Sequence, residues 1–109
     1  MIGPDDAFGR TMTRNLQAAR LNVPGFKDFP TLEHQERRFL ENGWQAARSC
    51  TMLQAYANMI SGDEKKRIAA LEIFDEIEEW ELIMSHYALT VAAKGSTLLD
   101  VVDVLPPQR

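Results

Sequence analysis

The chain has little cysteine, and it lacks both a long apolar run and an export signal. Cys50 is the single cysteine among 109 residues, so an internal disulfide is excluded and a reducing compartment is favoured. The N-terminal residues 1–6 lack the basic and apolar regions of a secretory signal, and no segment approaches the ~20 apolar residues of a membrane span. These absences predict a cytoplasmic protein that does not enter a membrane.

Basic residues are also scarce. Lys and Arg number 12 against 16 Asp and Glu, which gives a formal net charge of −4. The densest basic groups are residues 65–67 and 37–38, too few for a series of phosphate contacts, so general nucleic-acid binding is not expected. The hydrophobic content of 45% is that of a globular protein, and the length suits one small domain or part of a larger one.

Sequence motifs for nucleotides and metals are missing. Neither GxGxxG nor GxxxxGK[ST] occurs, and no HExxH or HxH spacing predicts a metal site. Carboxylates one helical turn apart, such as Glu72 with Glu76, could in principle bind a divalent cation or act as acid and base. Because no histidine lies at Glu-x-x-His spacing, a solvated helix face is the favoured interpretation. We therefore assign no metal ligand, no cofactor-binding residue and no catalytic residue.

Several chemically interesting residues are better explained as structural. His86 lies at a predicted helix-to-strand junction, where a lone histidine is more often hydrogen-bonded than catalytic. Cys50 lies in an apolar run and is expected to be a buried thiol. Trp44, Tyr56 and Trp80 are interpreted as core residues rather than stacking platforms.

Apolar spacing and capping residues predict an alternation of helices and strands. The strongest pattern starts at Leu71, where Ile73, Ile77, Trp80 and Met84 share one face of an acidic amphipathic helix. The predicted order starts with a helix over 5–20 capped by Asp5 or Asp6, a helix from Thr31 to Asn42-Gly43 and a strand over 44–50. A short helix capped by Thr51 follows, and then a long helix capped by Asp63 that runs into the acidic segment. A strand over 87–93 is the last predicted element.

Two strands alone do not form a stable sheet in water. They are therefore predicted to complete an α/β sheet whose other strands lie elsewhere. Residues 98–105 are left open as an added strand or an interaction segment, which Pro106-Pro107 stops.

Three motifs in the same order resemble the leucine carboxyl methyltransferase family. Residues 6–12 resemble D-x-F-G-x-x-M, residues 32–44 follow the pattern LExQxxRFxxNGW, and residues 71–87 follow LExxDExEExxxxxxHY. Their order and spacing cover residues 5–95, which leaves 96–109 as a tail.

The resemblance implies a Rossmann-like methyltransferase fold that uses S-adenosylmethionine. This chain would be the C-terminal third of that fold, so residues 1–109 form a single partial domain and the two strands are the last of a seven-stranded sheet. The family's glycine-containing cofactor loop has no counterpart here. The chain is therefore expected to be inactive alone.

The family's best-known activity is methyl esterification of the C-terminal leucine carboxylate of the protein phosphatase 2A catalytic subunit. The resemblance thus implies that subunit as the partner of a full-length monomeric enzyme. Two alternatives stay open: a non-catalytic interaction remnant, and the branch of the family that modifies a guanosine derivative in transfer RNA during wybutosine synthesis. The acidic charge and the lack of an appended domain favour the phosphatase branch.

The resemblance also places three residues near the acceptor. Phe8, Gly9 and Met12 would follow the fifth strand, and ligands of open α/β sheets bind beyond the carboxyl ends of strands. We hypothesise that they line the acceptor pocket. Packing at the start of a helix explains them equally well.

Overall fold

The computed structural model describes residues 1–71 and 73–106, with the side chain of Ser96 left out of the description. Glu72 of the acidic segment and residues 107–109 of the tail lie outside the described residues. The predicted order of elements is confirmed, with one helix divided in two and a 3-10 helix at the end. The elements are α1 (Ala7–Ala18), α2 (Leu32–Leu40), β1 (Ala46–Thr51), α3 (Met52–Met59), α4 (Gly62–Leu71), α5 (Ile77–Met84), β2 (Ala88–Ala93) and the C-terminal 3-10 helix (Ser96–Val104).

Side-chain caps fix where most helices begin. Asp6, Thr31 and Thr51 each accept a hydrogen bond from a backbone N–H in the first turn of α1, α2 and α3, as predicted. At Thr51 the bond is reciprocal, because Gln54 accepts from the Thr51 N–H. The predicted cap at Asp63 is wrong, since α4 already begins at Gly62 and the Ser61 hydroxyl accepts from the Glu64 N–H.

The predicted continuous helix through the acidic segment is also wrong. Helix α4 ends at Leu71 and α5 begins at Ile77, with no regular structure over residues 73–76. Glu76, the N-cap residue of α5, makes no side-chain capping bond. Ile73 is 90% exposed, so the apolar stripe that would stabilise a continuous helix has no packing partner at this point. The β-branched, aromatic and aspartate residues in 73–76 also have modest helix propensity, so neither packing nor propensity stabilises a helix at this point.

The sheet consists of β1 and β2, paired antiparallel from Ala46 with Ala93 to Thr51 with Ala88. Helix α2 contacts both strands, and the C-terminal 3-10 helix contacts them as well. Ser49 is fully buried, and its hydroxyl bonds that of Thr90 across the strands at 2.8 Å. No third strand is paired with β1 or β2 within the part of the chain that the structure describes.

A small core forms between the sheet and the C-terminal segment. Cys50, Ala55 and Leu105 are buried together, with Leu89 and Val91 packed against them. The prediction of a buried Cys50 thiol is confirmed. Residues 98–105 do not add a strand, because Leu105 enters this core. Arg48 holds the segment by donating to the Leu105 carbonyl at 3.2 Å and pairing with Asp103 at 3.0 Å.

None of the helices over the described residues is both long and apolar enough to cross a membrane.

Candidate functional site

The three predicted acceptor residues lie in the first two turns of α1. Phe8 and Met12 are one helical turn apart, so they share a face of the helix, and both are half-buried. Gly9 is buried between them. The structure thus places Phe8 and Met12 on one helix face, whereas Gly9 is covered.

Gly9 lies against the chain segment that precedes α1. A Cβ atom at position 9 would overlap the carbonyl group of Pro4 and the carbonyl oxygen of Gly3. Pro4 is itself fully buried. Glycine is therefore required here by close backbone contact, which makes packing at the helix start an established part of the role of Gly9.

His86 connects this turn to the beginning of β2. Its Nε2 lies 2.6 Å from Oδ2 of Asp6, and Oδ1 of Asp6 accepts from the Gly9 N–H at 2.8 Å. The Phe8 ring stacks on the His86 ring with 4.2 Å between centroids. The Ile2 N–H also donates to the His86 carbonyl at 2.8 Å. The prediction that His86 is a hydrogen-bonded residue is confirmed.

Charge within this turn favours an ionised Asp6. The hydrogen bond from the Gly9 N–H lowers the pKa of the Asp6 carboxyl below its usual range, and the bond with His86 lowers it further. Arg10 acts on Asp6 in the same direction, while partial loss of water acts against it. The carboxylate therefore accepts from both partners at neutral pH.

The turn lies at one defined end of the sheet. β1 ends at Thr51, and the next N–H, that of Met52, donates to the carbonyl of Tyr87, the neighbour of His86. His86 and the start of α1 are thus placed at the carboxyl end of β1. This is the end at which open α/β sheets bind their ligands.

The acidic segment is open to solvent over its described residues. Its described carboxylates are exposed, and no cluster of three or more His, Cys, Asp or Glu residues that could hold a metal ion occurs among the described residues. These carboxylates therefore face solvent. The Nδ1 atom of His34 lies 2.6 Å from the hydroxyl of Thr31, the residue that caps α2, so His34 has a local structural role.

The junction between β1 and α3 lacks the features of an S-adenosylmethionine site. Such a cofactor needs a glycine-rich turn between a strand and a helix, where free backbone N–H groups can face the ligand. At the β1–α3 junction the side chain of Thr51 already bonds the Gln54 N–H, and no glycine is present. This junction cannot hold the cofactor in the manner of that motif.

An apolar groove, which the sequence did not predict, lies between α3, α4 and α5. Tyr56 and Trp80 form an edge-to-face pair 4.9 Å apart in its wall. The cavity measures about 780 Å³, and Ile77 and Phe74 line it while remaining about half exposed. Trp44, Tyr56 and Trp80 are half-buried rather than fully buried core residues. The break between α4 and α5 creates this groove, and helical periodicity could not foresee the break.

Known sequences provide several relatives, although no family model matches. A leucine carboxyl methyltransferase 1 homolog of Arabidopsis thaliana is 46% identical over 95 residues, which cover 87% of this chain and 29% of that protein. Leucine carboxyl methyltransferase 1 of Emericella nidulans is 41% identical over 100 residues, or 88% and 26% of the two chains. A tRNA wybutosine-synthesizing protein 4 of Rattus norvegicus is 39% identical over 107 residues, or 96% and 15%. The chain spans less than a third of each of these relatives.

Proposed function

Because this chain belongs to the leucine carboxyl methyltransferase family and corresponds to the C-terminal part of its members, we propose that it forms part of a Rossmann-like, S-adenosylmethionine-dependent methyltransferase domain. The observation that carries the proposal is the 46% identity over 95 residues with the Arabidopsis thaliana relative. The cofactor loop and the remaining strands belong to the part of the domain that this chain does not match. By itself the chain is inactive.

The proposed acceptor is the C-terminal leucine carboxylate of the protein phosphatase 2A catalytic subunit. A carboxylate is already nucleophilic, so the protein mainly has to orient it toward the methyl donor and exclude water. Such a reaction needs few catalytic side chains from this chain. Phe8, Gly9 and Met12 are proposed to line the acceptor pocket, and the position of α1 at the carboxyl end of β1 supports that assignment.

Two measurements on the chain alone test the first half of the proposal. Circular dichroism reports whether the chain is folded, and calorimetric titration with S-adenosylmethionine reports cofactor binding. We expect a folded chain without measurable binding. Binding by the isolated chain would overturn the statement that the cofactor site lies elsewhere.

A chimera tests the second half. This chain replaces the matching 95 residues of the Arabidopsis thaliana relative, and transfer of a labelled methyl group is measured on the phosphatase 2A catalytic subunit. A subunit that lacks its last leucine serves as the control acceptor. We expect transfer to the intact subunit alone. A folded chimera that binds the cofactor and methylates neither acceptor would contradict the proposed substrate.

The transfer RNA branch is the second candidate, because its Rattus norvegicus member matches 96% of this chain. The formal net charge of −4 speaks against it, since RNA binding depends on clustered basic residues. The same chimera incubated with transfer RNA that carries the wybutosine precursor distinguishes the two. Methylation of that RNA in place of the phosphatase would select this branch.

The non-catalytic alternative rests on the apolar groove, which could dock a protein after loss of the cofactor half. An inactive chimera would favour it. We further propose a cytoplasmic location, which the buried Cys50 thiol supports, and a monomeric full-length enzyme.

A further inference from the structure

Both ring nitrogens of His86 face hydrogen-bond acceptors. Nε2 lies 2.6 Å from the Asp6 carboxylate, and Nδ1 lies 2.8 Å from the carbonyl oxygen of Leu82. The nearby Ser85 hydroxyl donates its hydrogen to that same carbonyl, so toward Nδ1 it is also an acceptor. A carbonyl and an ionised carboxylate have no hydrogen to donate. Both nitrogens satisfy these contacts only in the doubly protonated imidazolium.

This bridge joins parts of the chain that are 80 residues apart. Asp6 uses one oxygen for His86 and the other for the N–H of Gly9, while Phe8 stacks on the imidazole face. His86 is 8% exposed and is fixed on its far side by Leu82. A change at His86 is therefore transmitted to the cap of α1 and to the Phe8 ring together.

We propose that His86 is a positioning residue for the acceptor site, whose imidazolium holds Asp6 and thereby the turn that carries Phe8 and Gly9. The inference rests on the proposed function, because it takes Phe8 and Gly9 as acceptor-lining residues. Arg10 is the other charge that acts on Asp6. It is exposed on α1 and donates to the Asp5 carbonyl of its own turn, so it does not replace the link that His86 makes.

The chemistry of the pair provides a specific variant. In Asp6→Asn the carboxamide oxygen still caps Gly9, as asparagine is a good N-cap. Its NH₂ group then faces Nε2, and an imidazole protonated only on Nδ1 accepts from it. The wild-type bridge thus requires the charged ring, whereas the Asp6→Asn bridge requires the neutral ring.

The experiment uses the full ¹⁵N-labelled chain and a synthetic peptide that ends in a free leucine carboxylate. The same peptide with an amidated end is the control ligand. Peptide binding is followed by the amide signals of Phe8, Gly9 and Met12, and the bridge by the Gly9 amide proton. His34→Ala is the control variant, because among the described residues His34 bonds the Thr31 hydroxyl that caps its own helix.

We expect His86→Ala to weaken peptide binding roughly tenfold, the loss of one charge-assisted hydrogen bond, and His34→Ala to leave it unchanged. We also expect Asp6→Asn to weaken peptide binding less than His86→Ala does, because a neutral hydrogen bond between the two side chains then replaces the charge-assisted one while the Gly9 cap is kept. This partial retention of binding by the conservative variant identifies the bridge as the cause.

Unchanged binding in His86→Ala, or binding by Asp6→Asn that is as weak as that of His86→Ala, would overturn the positioning role. Absence of peptide binding by the wild-type chain would overturn the acceptor assignment itself, and the positioning role with it. The signal of the Gly9 amide proton separates absent peptide binding from an absent bridge between His86 and Asp6. If the bridge exists, this signal shifts in His86→Ala whether or not a peptide binds.

Discussion

The carboxylate of Glu36 on α2 accepts a hydrogen bond from the backbone N–H of Ser49 on β1, with 2.6 Å between Oε2 and the nitrogen. In an antiparallel pair of strands, hydrogen-bonded residue pairs alternate with non-bonded pairs, and Met52 with Tyr87 is a bonded pair. Ser49 lies three residues before Met52 and therefore belongs to a non-bonded pair. Its N–H points away from β2, toward the outer edge of β1. Glu36 covers that edge, so further strands of the proposed domain are expected to add along β2.

Replacement of Glu36 by alanine should destabilise the chain by about 1–3 kcal/mol, because a buried N–H loses its acceptor. Urea unfolding followed by circular dichroism measures the change. Glu41→Ala is the matched control, since Glu41 is exposed at the end of the same helix and should change stability by less than about 0.5 kcal/mol. Equal effects of the two substitutions would show that the Glu36 bond contributes nothing specific.

Substitution of Gly9 by alanine should destabilise the chain by about 1–3 kcal/mol, the usual cost of overpacking. The added methyl group would overlap backbone atoms of Pro4 and Gly3, which cannot move aside as a flexible side chain can. Gly62→Ala is the control, because among the described residues no atom outside its own helix backbone and chain neighbours lies within 4 Å of a Cβ there. It should be neutral or stabilising by about 0.4–1 kcal/mol. A neutral Gly9→Ala would contradict the close contact with Pro4.

The sequence predicted features that depend on neighbouring residues. The caps at Asp6, Thr31 and Thr51 were foreseen because a short polar side chain and the N–H groups that it bonds lie within three residues. Both strands were predicted to within two residues of their observed limits.

Features that depend on distant residues were not predicted. His86 was expected to be hydrogen-bonded, yet nothing in the sequence identified Asp6, 80 residues away, as its partner. The apolar period at Ile73 predicted a continuous helix because periodicity assumes a packed face, and that residue has none. The contact of Leu105 with Cys50 also joins distant parts of the chain, so it could not be foreseen.

The contribution of the C-terminal segment to the free energy of unfolding can be measured by substitutions at two adjacent residues. Leu105 is 2% exposed in the small core, whereas Val104 is 58% exposed. Leu105→Ala should cost about 2–5 kcal/mol, the range for a buried leucine. Val104→Ala should change the free energy of unfolding by no more than about 0.5 kcal/mol. Similar losses at both positions, measured by thermal unfolding, would show that the segment does not pack on the sheet as described.

Cys50 should make the chain less stable at alkaline pH. Burial raises the pKa of its thiol above the ordinary value of 9.0, because the thiolate would lose its hydration inside the core. The folded thiol therefore stays protonated as pH rises through 9.0, while the thiol of the unfolded chain ionises. Ionisation of the thiol thus stabilises the unfolded state, and the free energy of unfolding decreases as pH rises in that range.

Urea unfolding of the wild type and of Cys50→Ala at pH values on both sides of 9.0 isolates this effect. Tyrosine and lysine residues titrate in both proteins, so the difference between the two curves belongs to the thiol. We expect the wild type to lose its advantage over Cys50→Ala progressively as pH rises. A pH-independent difference would mean that the thiol ionises as readily in the folded chain as in the unfolded one, which its place between Ala55 and Leu105 does not permit.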